Sequence, residues 1–363
     1  MRIIFSLLRK KNFMKTNNLM IDVEKALKVI DNFSENRNVK NVLIYDSTTN
    51  NAPKISFCVP TYKRCSTLEE TLDSIINQKG LDSYEIVIGD NNPEREDETE
   101  TYFKQHSYKE LKYFKYSNVL TAYGNYNRLI ENSKGELVIF VHDDDILFEN
   151  FYQEVRKVFD QTNADFLYSN RIAWYQFKNE PKPQMPIGDN RNSFYRLGMS
   201  DFFTGNPCPP TGFVCKREKF IESGGFSLIP GPSGDYYFAL KVALNYNTFF
   251  YTNPIWIYRW ALNATSRVDV LVRLFKSDIP LKKWFANKCF IYRLLLPLEL
   301  LSYSKMYFNI YQRNNTSDNI DEISKYIRTS FSKIDDLKIR VYAKLWRQFL
   351  STKHFVYSHK LNK

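Results

Sequence analysis

Three consecutive carboxylates, Asp143, Asp144 and Asp145, follow the fully apolar run Leu137-Val138-Ile139-Phe140-Val141, with His142 between run and cluster. Like charges this close repel one another unless a cation neutralises them. Hard oxygen ligands on a short turn suit Mg²⁺ or Mn²⁺, with substrate phosphates completing the coordination sphere. The same acids would also fit a solvated loop or a helix N-terminus, where the macrodipole favours negative charge. Two further polar groups follow β-prone runs: Thr61-Tyr62-Lys63-Arg64 after Ile55–Pro60, and Asp90-Asn91-Asn92 after Tyr84–Gly89. Asp235, in Pro230-Gly231-Pro232-Ser233-Gly234-Asp235-Tyr236, has the placement of a helix cap.

The elements that must position these groups alternate in type. Ser66 and Glu69 have capping-box spacing ahead of Leu68, Leu72, Ile75 and Ile76, which predicts a helix start there. A helical stretch around Tyr126–Asn132 breaks at Lys134-Gly135, and the apolar run 137–141 reads as a strand buried on both faces. Strand, helix, strand, helix, strand is the order of an α/β layered fold with right-handed crossovers. Ligands in such sheets sit beyond the carboxyl ends of strands. All three polar clusters fall at such ends. Upstream, Ile21, Ala26, Val29, Ile30 and Phe33 predict an amphipathic helix over 21–33. Residues 34–51, polar and rich in Asn apart from Val42–Tyr45, read as a linker.

Composition narrows the class. With 43% hydrophobic and 25% charged residues in 363, neither wholesale disorder nor a fibre fits. Aromatic residues are abundant (28 Phe, 25 Tyr, 5 Trp) and promise a large buried area. No stretch of 18 uncharged apolar residues occurs, which argues against a spanning helix. The apolar run at 3–8 precedes Arg9-Lys10-Lys11, the reverse of a secretory signal, so export is not expected. Five cysteines without a C-x-x-C pair read as reduced thiols of a cytosolic protein.

The charge is uneven. Residues 270–363 carry 18 Lys and Arg against 7 Asp and Glu, so the whole formal charge of +11 lies there and the first 269 residues balance. This tail reads as helices, with aromatic and aliphatic residues interleaved with cations. It suits a helical subdomain packed on the preceding domain, or a peripheral membrane surface with cations on anionic lipid. The two are compatible. No nucleic-acid-binding module is present, so nucleic acid is not an expected partner.

Several of these segments, in order, resemble family 2 glycosyltransferases with the GT-A fold. Phe57-Cys58-Val59-Pro60-Thr61-Tyr62-Lys63-Arg64 resembles the family's opening strand, and Glu85–Asn91 its second. Gly124-Asn125-Tyr126-Asn127-Arg128, Lys134-Gly135-Glu136 and the acidic triplet follow at the family's approximate spacing. Thr211-Gly212-Phe213-Val214, Glu222-Ser223-Gly224-Gly225-Phe226 and the loop at Asp235 resemble its acceptor side. Ile255–Ser266 resembles its closing segment.

The resemblance covers about residues 54–266. It implies a Rossmann-like mixed sheet with helices on both faces and a C-terminal helical extension. The implied domains are an N-terminal helical extension and linker (1–51), a GT-A domain (52–268) and a basic, aromatic-rich helical region (269–363).

The resemblance also implies roles. Pro60, Thr61, Tyr62, Arg64, Asp90, Asn127, Arg128, Asp143, Asp144 and Arg259 would bind the nucleotide sugar, with Asp90 on the base and Arg259 on phosphate. Asp145 and Asp143 would hold Mn²⁺ or Mg²⁺, and Asp235 would be the catalytic base. Two positions depart from the family pattern: His142 stands where many relatives have Asp, and Gly234 replaces a Glu beside the base. Trp256 occupies the Gln position of the processive Gln-x-x-Arg-Trp motif, which points to single sugar addition.

The expected activity is metal-dependent, inverting transfer of one sugar from a nucleotide-diphosphate sugar. UDP is the expected carrier and dTDP the next, and the acceptor is a glycan or lipid-linked hydroxyl in surface polysaccharide biosynthesis. The expected location is cytoplasmic, or peripheral on the inner face of the cell membrane. A Mg²⁺-dependent phosphoryl or nucleotidyl transferase would want a phosphate loop that is absent here. A non-catalytic sugar- or membrane-binding module on the same fold is the other alternative.

Overall fold

The computed structural model describes residues 21–176, 180–185, 194–260, 267–314, 324 and 327–361. The opening run at 3–8 and the end of the closing segment, 261–266, lie outside the described residues. Ten strands form one mixed sheet: β1 (Asn41–Asp46), β2 (Ile55–Thr61), β3 (Tyr84–Asp90), β4 (Leu111–Tyr116), β5 (Leu137–Phe140), β6 (Ile146–Leu147), β7 (Phe166–Trp174), β8 (Phe194–Arg196), β9 (Val214–Lys216) and β10 (Thr248–Arg259). Their order is β1-β4-β3-β2-β5-β9-β7-β10-β6, with β8 on β10.

Strands β4, β3, β2 and β5 are parallel, as crossover helices require. They are α2 (Cys65–Ile76), α3 (Glu98–Gln105) and α4 (Ala122–Asn132), preceded in the chain by α1 (Val23–Leu27).

Both faces of the sheet are covered, and alternate residues of the central strands face different cores. Phe57, Val59, Ile86, Ile88 and Ile139 pack with Leu68, Leu72 and Ile75 of α2 and with Phe151 and Val155 of α5 (Phe151–Gln161). Cys58, Val87, Val138 and Phe140 face the opposite core, with Leu129 and Ile130 of α4. That is why these strands read as continuous apolar runs. Strand β2 continues through Pro60 because β5 pairs with it only as far as Cys58. The side of β2 on which residue 60 would donate therefore has no partner to lose.

The second core also holds the acceptor-side helices α6 (Arg217–Glu222) and α7 (Gly234–Asn245) and part of the C-terminal region. That region consists of α8 (Val268–Lys288), α9 (Phe290–Asn314) and α10 (Lys333–Leu361). Leu281, Phe285, Tyr292, Tyr342 and Trp346 pack into this core beside Tyr236 and Phe203. Buried Lys282 donates to the Phe203 carbonyl and pairs with Glu299 at 2.9 Å, and Tyr342 donates to Glu299 at 2.8 Å. The basic helices are thus packed on the sheet domain through shared apolar and polar contacts.

Three local expectations change. The N-terminal helix is Val23–Leu27 only, because beyond Lys28 the chain extends to meet the Gly224-Gly225 turn, where the Asn32 amide and side chain both donate to the Gly224 carbonyl. Residues 41–46 are not linker but an edge strand, antiparallel to β4. Helix α2 begins at Cys65 with Arg64 at its N-cap and no side-chain cap, so the Ser66–Glu69 capping box does not form.

Candidate active site

The acidic turn sits where the carboxyl ends of β2 and β5 meet β10. Thr61 donates to Asp143 at 2.7 Å, and the Arg64 guanidinium reaches Asp143 at 3.3 Å and Asp144 at 2.6 Å. Behind the turn, the Arg259 amide donates to the Asp145 carboxylate at 3.0 Å and its Nε to the Asp144 carbonyl at 2.7 Å. Thr71 of α2 donates to the Asp145 carbonyl at 2.8 Å. The Asp144 and Asp145 carbonyls of the turn are therefore held from β10 and α2.

All three carboxylates are buried. Burial pushes Asp143 up to about 6, opposed by the Arg64 charge and reinforced by Asp144. Burial, and then the Asp144 charge, also raise Asp145 well above the usual carboxylate range. These are the signs of negative charge awaiting a positive partner.

The residues present fit a divalent cation. The Asp145 Oδ2 is buried and receives no hydrogen bond among the described residues. Ligand atoms of His142, Asp144 and Asp145 all lie within 4.8 Å of one another. Desolvation lowers the His142 pKa and keeps the ring neutral, the form in which imidazole ligates metal. Its Nδ1 stands 3.8 Å from the Asp145 Oδ2. The set that closes on one point is therefore His142, Asp144 and Asp145. Asp143 lies outside this group and bonds Thr61 and Arg64, whereas Asp144 belongs to it and also pairs with Arg64.

Asp235 lies in the first turn of α7, partly exposed, after the single-turn helix Gly231–Ser233. It accepts from Tyr123 Oη at 3.2 Å, Asn206 Nδ2 at 3.1 Å and its neighbour's amide at 2.8 Å. The α7 N-cap is Ser233, so Asp235 is not spent on capping. Burial pushes its carboxyl up to about 6, a value suited to taking a proton near neutrality.

Two tyrosines of α4 join this carboxylate to the acidic turn. Tyr123 bonds Asp235, its ring meets that of Tyr126 edge-on at 5.7 Å, and Tyr126 Oη lies 2.7 Å from His142 Nε2. Burial raises the Tyr126 hydroxyl, and the charges of Asp235, Asp143, Asp144 and Asp145 all add to the rise. The two acidic centres therefore flank one side chain. Neither tyrosine nor His142 was among the expected site residues; their i, i+3 spacing on α4 was the available signal.

The remaining expected residues divide. Tyr62 is half exposed at the mouth of β2, free to stack on a base, and Pro60 lies within the strand that carries it. Asp90 is at the end of β3 but fully buried, accepting from Tyr113 Oη at 2.7 Å and the Asn92 amide at 2.9 Å and pairing with Lys115 at 3.2 Å. Its oxygens are already occupied.

Asn127 and Arg128 stand apart from the cleft. Asn127 exchanges hydrogen bonds with both backbone groups of Phe226, and Arg128 bonds Glu131 and Asn41 on the far side of α4. Arg259 is buried and paired with Glu70 and the turn itself, so it holds the acids rather than facing phosphate.

A doubly covered mixed sheet, with an acidic turn after one central strand and the Asp235 carboxylate in the first turn of α7, has the form of a GT-A nucleotide-sugar transferase fold. The chain matches the family described as Glycosyl transferase family 2 over residues 56–224. It is 31% identical over 161 residues to the Staphylococcus aureus poly(ribitol-phosphate) beta-N-acetylglucosaminyltransferase TarP, covering 41% of this chain and 48% of TarP. It is 35% identical over 96 residues to a Campylobacter jejuni GalNAc(5)-diNAcBac-PP-undecaprenol beta-1,3-glucosyltransferase, covering 26% and 31%. The match therefore spans less than half the length of these two relatives. The solved mannosyltransferase PcManGT of Pyrobaculum calidifontis, in complex with GDP-Man and Mn²⁺, overlays with a TM-score of 0.49 at 13% identity over 92% of each chain.

Proposed function

We propose that this protein transfers a single sugar, with inversion, from a nucleotide-diphosphate sugar to a hydroxyl of a glycan or lipid-linked acceptor in surface polysaccharide biosynthesis. UDP is the favoured carrier and dTDP the next. The observation that carries the reading is one relationship: Asp235, raised to about 6, is linked through Tyr123 and Tyr126 to His142 of the acidic turn.

In this reading Tyr62 stacks on the base, and Thr61 and Arg64 fix Asp143 and Asp144 against the ribose and diphosphate. His142, Asp144 and Asp145 would hold Mn²⁺ or Mg²⁺. The chemistry such an ion supplies is neutralisation of charge on the departing diphosphate. Asp235 takes the proton of the acceptor hydroxyl as its oxygen attacks the anomeric carbon from the face opposite the diphosphate; one displacement inverts the configuration.

The activities for which the two relatives are named, on poly(ribitol phosphate) and on an undecaprenol-diphosphate glycan, support an acceptor of the cell-surface class. A place on the cytoplasmic face of the membrane, met through the basic C-terminal helices, accords with that acceptor class. No helix among the described residues is long and apolar enough to cross a membrane.

The test is a thermal-shift panel of UDP, dTDP, GDP, CDP and ADP with Mn²⁺ and with EDTA. Stabilisation by one diphosphate only in the presence of metal is expected, at about 2–3 kcal/mol for ligand at 100 times Kd. Equal stabilisation in EDTA would remove the metal from the proposal, and none by any nucleotide would remove the donor.

A further inference from the structure

Helix α10 presents three different faces. Tyr342 and Trp346 turn into the protein, against Phe203 and Tyr292. Next to them, Ile334, Leu337, Val341, Leu345 and Phe349 repeat every three or four residues and are all exposed, each by half or more. Apolar stripes at this spacing normally face a core. Beyond that stripe, Lys333, Arg340, Lys344 and Arg347 form a parallel row of exposed cations.

Phe290, Ile291 and Leu294 of α9 extend the apolar area and are exposed as well. Between the two helices lies an apolar cleft of about 620 Å³, with Leu295, Leu298 and Trp346 in its walls and Lys338 at its rim. The Trp346 indole nitrogen is buried and has no acceptor among the described residues.

We infer that this face is the docking surface for a bilayer rich in anionic phospholipid, with the cleft receiving one acyl chain. Charge decides the occupant. From Leu337 to Leu361 the helix carries six Lys and Arg and no Asp or Glu. A second copy of the chain on this face would set one cation row against another. An anionic lipid surface complements it.

The stripe lies beside the cations, so the helix would rest in the interface plane with side chains reaching the acyl boundary. Trp346 then finds an acceptor in a lipid ester or phosphate oxygen, the usual use of an amphipathic aromatic at that depth. This inference rests on the proposed membrane-side location and gives it an address; it is independent of the sugar chemistry.

The experiment is flotation of the full-length protein with phosphatidylcholine vesicles and with vesicles containing 30% phosphatidylglycerol. Binding is expected only to the anionic vesicles, falling at least tenfold in 0.5 M NaCl. The variants Val341→Asp/Leu345→Asp and, separately, Lys333→Glu/Arg340→Glu/Lys344→Glu should each lose at least tenfold in binding while keeping wild-type circular dichroism and donor hydrolysis.

Acyl chains brominated near the headgroup should quench tryptophan emission, and Trp346→Phe should abolish most of that quenching. If wild type ignores anionic vesicles, the membrane location fails. If wild type binds and the variants bind equally well, the α10 address alone fails. A concentration-dependent dimer, broken by Val341→Asp/Leu345→Asp, would assign the face to a second copy and overturn the inference.

Discussion

The hydroxyl of Tyr126 and the Nε2 of His142 are 2.7 Å apart, and this contact ties the turn that carries three buried acids to the helix that also holds Asp235 through Tyr123. A hydrogen bond on one ring nitrogen fixes the orientation of the other, and such outer partners typically change metal affinity by about 10–100-fold. Tyr126→Phe is therefore expected to raise the Mn²⁺ concentration for half-maximal activity by about tenfold. Folding stability should fall by only about 1 kcal/mol, since a single hydrogen bond is lost. A Mn²⁺ titration of activity beside a urea melt checks both. An unchanged metal requirement would remove His142 from the ligand set.

Asp235 must be ionised to accept a proton, and burial raises its carboxyl to about 6. A carboxyl held that high keeps its proton at lower pH, so kcat/KM should fall as pH drops through about 6 and be flat above 7. The Tyr123 hydroxyl works against the rise by donating to the carboxylate. Tyr123→Phe should therefore move the acid limb to higher pH. Asp235→Asn should lower kcat by about 10²–10⁴ and abolish the limb in what remains. A pH–rate profile of the three proteins measures all of this.

Much of the site's frame was legible in the sequence. Leu137–Val141 read as a doubly buried strand and Ile55–Val59 and Tyr84–Ile88 as strands, and the polar groups after them fall at the ligand end of the sheet. What the sequence did not show was where each polar side chain spends its hydrogen bonds.

Asp90 and Arg259 sit at the expected ends, yet Lys115, Tyr113 and Glu70 occupy them. Those partners lie 23 or more residues away and carry no spacing signal. Asn127 and Arg128 share their motif with Tyr126, which reaches the cleft one residue before Asn127 and 100° around the helix from it. The edge strand at 41–46 escaped because it is short, polar at both ends and paired only on one side.

The Gly224-Gly225 turn is a structural device rather than a chemical one. Gly224 has φ +77°, and a Cβ there would lie 1.8 Å from the Ile30 carbonyl oxygen, which is backbone and cannot swing aside. Gly224→Ala combines left-handed strain with that collision. It should cost about 2–4 kcal/mol in urea unfolding. Gly205, whose added Cβ would meet nothing within 4 Å, is the control position; Gly205→Ala should cost less, paying only for its φ of +147°.

Asp143 and Asp145 set the sign of the metal's effect on stability. Their carboxyls are raised in the folded chain, Asp143 to about 6. A carboxyl raised on folding holds its proton more tightly than in the unfolded chain. Its contribution is therefore fully present below the unfolded value near 4 and is lost as pH rises through the folded value. Without metal, the turn should thus become progressively destabilising between about pH 4 and 6 and above. A cation that neutralises the ionised carboxylates reverses this, so the melting-temperature gain from Mn²⁺ should be small at pH 5 and grow towards pH 7.5. Asp145→Asn removes one buried charge. It should leave the EDTA-treated protein as stable as wild type or more so at pH 7.5, erase most of the Mn²⁺ gain and lower transfer activity by at least about 100-fold. Melting curves at pH 5, 6.5 and 7.5 with Mn²⁺ or EDTA test the sign directly; a gain from Mn²⁺ that is the same at all three, or that survives Asp145→Asn, would place the ion elsewhere.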